Sequence, residues 1–151
     1  MTNAEDLKAA PILVVDDQNM FRVLLTRHLR QSGFTDVAEV VNGQEALDLL
    51  AQRRFDLVLL DINMPVLDGY ATLEKIRSDE KLREMAVIMV TAQDELESVA
   101  RCIQAGADDY MPKLFNSILL NARILSCLEL YRLRRRLREL APPPAGSGAS
   151  S

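Results

Sequence analysis

A chain of 151 residues, 48% hydrophobic and 26% charged, with a formal net charge of −4, can build one domain with a real core but not two substantial ones. The negative balance argues against a general nucleic-acid binder, which is basic as a rule. No run approaches the ~18 apolar residues that span a bilayer, and Met1–Ala10 carries no apolar signal region, so a soluble cytoplasmic protein with no membrane association is expected.

Residues 1–10 read as a flexible polar arm. Ile12–Val15 is then an apolar, β-branched run of strand length that ends in Asp16-Asp17. Met20–Gln31 follows with Phe21, Leu24, Leu25 and Leu29 at helical spacing. The alternation continues with strand Val37–Val41, helix Gln44–Gln52, strand Leu57–Leu60, helix Tyr70–Arg77, strand Val87–Val90, helix Glu95–Ala105 and the short strand Asp109–Met111. Gly33, Gly43, Gly69 and Gly106 punctuate the junctions. Strand–helix–strand at this spacing predicts right-handed crossovers and a parallel sheet covered on both faces. The fold class is therefore α/β, a doubly wound, flavodoxin-like (βα)5 sheet over residues 11–130.

The last helical pattern starts at Ser117. About four turns would cross a small sheet, yet the periodicity runs on to about Leu140, with Leu130, Leu133, Leu137 and Leu140 spaced like a heptad seam. Arg132, Arg134, Arg135, Arg136 and Arg138 fill the rest of residues 131–140. Three readings stay open: a solvated helix face, a dimer seam or connector to another domain, and a surface for an anionic partner. Residues 141–151, rich in Pro, Gly, Ala and Ser, read as a stiff then flexible tail. Cys102 and Cys127 have no metal-ligand spacing and are expected to be reduced thiols.

Three acids, Asp16, Asp17 and Asp61, directly follow apolar runs, which places them at the carboxyl edge of the sheet, where open α/β folds bind ligands. Carboxylates packed together repel unless one keeps its proton or a cation joins them. Hard oxygen ligands suit Mg²⁺ or Mn²⁺, completed by waters or phosphate oxygens. Asp61 could then act as a carboxylate nucleophile toward a phosphoryl group. Thr91, past the fourth strand, and Lys113, past the fifth, bring a hydroxyl and a second cation to the same edge.

Val14-Val15-Asp16-Asp17, Leu60-Asp61 through Asp68-Gly69, Val90-Thr91-Ala92 and Ala105 to Lys113 together resemble the receiver domain of two-component response regulators. The resemblance implies that Asp61 accepts phosphate from a sensor histidine kinase or histidine phosphotransfer protein. It implies Mg²⁺ on Asp17, Asp61 and the Asn63 backbone carbonyl, with Asp16 acting through water, and Lys113 paired with phosphoryl oxygens. Thr91 and Tyr110 would form the switch, altering the face made by the fourth helix of the alternating pattern, the fifth strand and the last helix. Ala92 would leave room for the phosphoryl group, and Asn63 and Gln93 would tune its lifetime. Pro65, Asp68 and Gly69 would shape the turn without touching metal. Such a module catalyses only its own phosphorylation and dephosphorylation, so a regulatory domain rather than an enzyme is expected. A homodimer through the last helix and an output domain or protein partner are the expected associations.

Leu114 departs from the family, which commonly places a cis-bonded proline after the lysine. A non-proline cis bond costs ~3 kcal/mol, so the loop either carries that strain or turns trans, and Lys113 is expected to reach the site with Phe115 anchoring the loop. His28, on the first amphipathic helix, reads as structural. Two other functions remain: an amino-terminal receiver joined to a cyclase- or phosphatase-type output, and an aspartyl-phosphate phosphohydrolase. The latter normally has an acid two residues past its nucleophile, where this chain has Asn63.

Overall fold

The computed structural model describes residues 4–92 and 96–140. One parallel sheet contains β1 (Ile12–Val15), β2 (Val37–Val40), β3 (Leu57–Leu60), β4 (Ala86–Thr91) and β5 (Asp109–Pro112), in the order β2-β1-β3-β4-β5. The helices are α1 (Ala4–Leu7), α2 (Asn19–Gln31), α3 (Gly43–Gln52), α4 (Gly69–Ser78), α5 (Leu96–Gln104) and α6 (Ser117–Leu140).

Side chains alternate across a strand, and this sheet uses both faces. Ile12, Val14, Leu57, Leu59, Ile88 and Val90 pack into one core with Leu25 and Leu29 of α2 and Leu120, Ile124 and Leu128 of α6. Leu13, Val15, Val58, Leu60, Val87 and Met89 face the other, against Leu50 of α3, Leu73 and Ile76 of α4 and Cys102 of α5. A buried Leu or Ile contributes about 1.5–3 kcal/mol, so the two layers supply the main driving force, and strands buried on both sides read as continuous apolar runs. Both cysteines are buried and free, and burial pushes the Cys127 thiol up to about 12. No helix among the described residues is long and apolar enough to cross a membrane.

The segment expected to be a flexible arm is in part structured. Residues 4–7 form α1, and Leu7 and Ala10 are buried in the α2/α6 layer. With polar residues around it, a lone leucine has no periodicity to announce a helix; its burial depends on the apolar surface that α6 offers. The buried stripe of α2 also differs from the one expected. Arg22, Leu25, Thr26 and Leu29 face inward, while Leu24 is 54% exposed. Both sets satisfy helical spacing, and Arg22 tolerates burial because its guanidinium reaches the Asp16 carbonyl oxygen at 2.9 Å, Asn19 Oδ1 at 2.7 Å and Glu39 Oε1 at 2.9 Å. The tail at 141–151 lies outside the described residues.

Candidate functional site

In the order β2-β1-β3-β4-β5 the chain changes winding direction between β1 and β3, which leaves a crevice at their carboxyl ends. Asp16 leaves β1 there and Asp61 leaves β3, and both are buried although charged. Carboxylate oxygens of Asp16, Asp61 and the exposed Asp17 lie within 4.8 Å of one another. Lys113, just past β5, bridges two of them: its Nζ lies 2.9 Å from Asp16 Oδ2 and 3.5 Å from Asp61 Oδ2. Thr91 ends β4 at the same edge and is fully buried, and its carbonyl accepts the Lys113 backbone N–H at 2.9 Å.

Backbone and neighbouring groups hold these carboxylates in place. Asp16 Oδ1 accepts the Gln18 N–H at 2.8 Å, and Asp61 Oδ1 accepts the Ile62 N–H at 2.8 Å. Lys113 Nζ also donates to Gln18 Oε1 and stands 4.8 Å from the centre of the Phe21 ring, a cation–π contact. Buried Asp16 Oδ2 faces that ammonium but receives no aligned hydrogen bond. Burial first, then the charge of Asp16, lifts the Asp61 carboxyl from 3.8 to about 6, against the opposing pull of Lys113. The site thus has a surplus of negative charge and buried oxygen that one cation only partly offsets. A hard divalent cation is the chemical complement of that donor set.

The loop after Asp61 is built as a tight return. Gly69 N–H donates to the Ile62 carbonyl at 2.7 Å, and Asp68 caps α4, with Oδ1 accepting the Ala71 N–H at 2.8 Å. Asn63, Pro65 and Asp68 are exposed on this loop. Val66 adopts φ 71° and is 78% exposed. Left-handed backbone costs a non-glycine residue roughly 1–2 kcal/mol, and a β-branched one gains nothing there from packing. Val66→Asn is therefore expected to raise the unfolding free energy by about 1 kcal/mol, read from denaturant midpoints. An unchanged or lower midpoint would show that the turn carries no strain.

On the far side of Lys113 no cis peptide occurs among the described residues, so Lys113–Leu114 is trans. Leu114 is 96% exposed, while Phe115 packs edge-on against Phe21, with ring centres 6.2 Å apart, and against His28 at 5.3 Å. His28 Nε2 is 3.0 Å from Asn121 Oδ1, tying α2 to α6. Tyr110 is half-buried on β5 beside Met89 of β4, Ala92 is exposed just past β4, and Gln93 lies outside the described residues. Sequence patterns did not single out Gln18 and Arg22, and they marked Phe21 only as a helix-face residue; all three support the acids and Lys113 from α2 and its entry. The available signal was an arginine set at helical spacing with Leu25 and Leu29.

The family model described as the response regulator receiver domain matches residues 12–125. This chain belongs to that family. The chemotaxis protein CheY of Pseudomonas aeruginosa PAO1 is 36% identical to the receiver over 118 residues, 78% of this chain and 95% of CheY. A protein of Cyanidium caldarium named "Probable transcriptional regulator ycf27" is 35% identical over 140 residues, 93% of this chain. The receiver spans only 54% of that relative's length. Among solved structures, the receiver domain of the sensor histidine kinase PA1611 of P. aeruginosa PAO1, with magnesium coordinated in its active-site cleft, superposes with a TM-score of 0.74. It is 30% identical, and the match covers 80% of this chain and 98% of that one.

Proposed function

We propose that this receiver is a phosphorylation-controlled switch in which Asp61 takes a phosphoryl group from a sensor histidine kinase or histidine phosphotransfer protein. One observation carries the reading: buried Asp61 sits in an acidic cluster with Asp16 and Asp17 while the Lys113 ammonium spans two of its carboxylates. Asp16, Asp17, Asp61 and the Asn63 carbonyl would hold Mg²⁺ or Mn²⁺, and the bound ion supplies charge neutralisation for an anionic donor approaching an anionic nucleophile. Asp61 attacks phosphorus through a carboxylate oxygen, the bond from phosphorus to the donor nitrogen breaks, and the histidine side chain leaves. Lys113 stands within reach of the transferred oxygens and stabilises charge that grows on them. Ala92, Asn63 and Gln93 are the positions proposed to set access and lifetime.

Thr91 ends β4 at this edge and Tyr110 lies on the adjacent β5 beside Met89, so a hydrogen bond drawn from Thr91 to the phosphoryl group changes packing along β4 and β5. The readout surface is then α5, β5 and α6, a local charge change biasing a two-state face. Leu130, Leu133, Leu137 and Leu140, 45 to 75% exposed along α6, support self-association through that helix or contact with an output segment.

Incubation with a small phosphodonor such as acetyl phosphate and Mg²⁺ is expected to place one phosphoryl group on Asp61, located by peptide mass mapping, and to shift sedimentation toward dimer. Chelating the metal is expected to remove both effects. Modification at another residue, or equal labelling in chelator, would overturn the assignment.

A further inference from the structure

At the edge of the sheet opposite the acidic site, one cleft is lined by the reverse charge. There the segment before β3, the segment before β4 and the end of α6 enclose a cleft of ≈ 420 Å³ lined by Arg53, Arg54, Lys81, Arg135 and Arg138, with Tyr131 between them. Among the described residues no acidic one lines it, although the chain as a whole carries a net charge of −4. Tyr131, Arg135 and Arg138 are spaced i, i+4, i+7 and so share one face of α6, the face turned to the body of the domain. Five cations converging on one cleft repel one another, and they persist together only with anions nearby.

Protein acids meet that need only in part. Arg53 Nη2 lies 3.0 Å from Asp36 Oδ2, Arg54 Nε is 3.5 Å from Asp56 Oδ1, Arg135 Nη2 is 3.8 Å from Glu139 Oε1, and Arg138 is paired with Glu84. Each guanidinium has five N–H donors, and these contacts use a minority of them. Lys81 is exposed and makes no ion pair among the described residues. Beneath the charges lie Leu50, Leu82 and Met85, an apolar floor. The volume exceeds what a bare pyrophosphate fills and falls within the usual range for small-molecule sites.

We propose that this cleft binds a nucleotide bearing a diphosphate, whose phosphoryl oxygens take the free donors of Lys81, Arg135 and Arg138 and whose ring lies over the apolar floor. Arginine forks match phosphate bidentately. Because one wall belongs to the end of α6 and the other to the domain body, the ligand clamps the helix extension to the sheet. It thereby offers a second input to whatever α6 contacts, independent of Asp61.

The test is calorimetric titration of the full chain, in chelator, with ADP, GDP and inorganic pyrophosphate, joined to hydrogen exchange of the α6 amides. Saturable one-to-one nucleotide binding is expected, weaker at higher salt, with slowed exchange over residues 131–140. Lys81→Ala, and separately Arg135→Ala with Arg138→Ala, should each weaken binding at least about tenfold, while Asp61→Asn should leave it unchanged. No saturation by about 1 mM nucleotide, a weak interaction by any standard, or wild-type affinity in either cleft variant, would overturn the site. So would binding that disappears in Asp61→Asn, which would assign the ligand to the acidic edge. Pyrophosphate binding as tightly as either nucleotide would overturn the role of the ring.

Discussion

Asp61→Asn is expected to make the metal-free protein more stable while abolishing phosphorylation. The Asp61 carboxyl titrates near 6 in the fold, against 3.8 when unperturbed, because burial and Asp16 outweigh Lys113. Between those two values the folded protein holds a proton that the unfolded chain has lost, so stability falls as pH rises from about 4 through 6 and then levels off. The full shift corresponds to about 3 kcal/mol. Loss of the Lys113 contact and local relaxation leave an expected gain of about 2 kcal/mol for the amide at pH 7.5, roughly 6 °C in Tm. The gain should shrink as the pH falls toward 4, where the folded protein already holds the Asp61 proton and the unfolded chain nears its own value of 3.8. Mg²⁺ should narrow it from the other side, because an ion that binds only the folded wild type stabilises it by mass action. Thermal melts of both proteins in chelator and in Mg²⁺, at pH 4.5 and 7.5, read all four corners. An asparagine variant less stable than wild type at pH 7.5 in chelator, or a gap that ignores pH, would show that the acidic cluster is not strained.

Gly69→Ala is expected to damage both fold and site. A Cβ added at Gly69 would lie 2.2 Å from the Asp61 carbonyl oxygen and 2.7 Å from Ile62 Cα, and both are backbone atoms that no side-chain rotation can clear. Either the first turn of α4 lifts away, breaking the 2.7 Å hydrogen bond from Gly69 N–H to the Ile62 carbonyl, or Asp61 itself moves. Overpacking of this kind costs about 3 kcal/mol. With Asp61 as the acceptor proposed above, attack has to be in line, and a displacement of under ~1 Å slows transfer on the order of a hundredfold. Denaturant melts and initial labelling rates with acetyl phosphate measure the two consequences. A variant with wild-type midpoint and wild-type rate would mean that the α4 entry does not position Asp61.

Much of this architecture was legible in the chain because its signals are local. Strands buried on both faces must be apolar throughout, so Leu57–Leu60 and Ile12–Val15 stand out, and the observed strands begin and end within one residue of the runs expected. Position at the end of such a run is enough to send Asp16, Asp61, Thr91 and Lys113 to one edge, since parallel strands share direction. In α2, Phe21, Leu24, Leu25 and Leu29 fit a helix as well as Arg22, Leu25, Thr26 and Leu29 do. What decides between them is the Asp16 carbonyl just past β1 and a glutamate on β2 waiting for the guanidinium. Helix α1 leaves no mark in the sequence because a single turn has no period, and only packing holds it. Val66 carries its positive φ with no mark of it in the sequence; it is the middle residue of a tight turn that the Leu67 N–H closes on the Pro65 carbonyl at 2.8 Å.

The arginines of the last helix show the same division. Sequence alone determined that α6 continues past the sheet and that it is crowded with positive charge. It left open whether those charges face water, a second helix or an anion. Tertiary structure pairs Arg132 with Asp56, Arg134 with Asp108 and Arg138 with Glu84, so that part of the extension is tied to the body. It also leaves a cationic cleft between them. These pairs join residues far apart in the chain, and a Coulomb contact depends on distance in space, which no local periodicity encodes. For the same reason the acids near Asp61 could be placed at one edge from sequence, while the Lys113 bridge between Asp16 and Asp61 depended on how β5 and its trans-bonded loop close over α2.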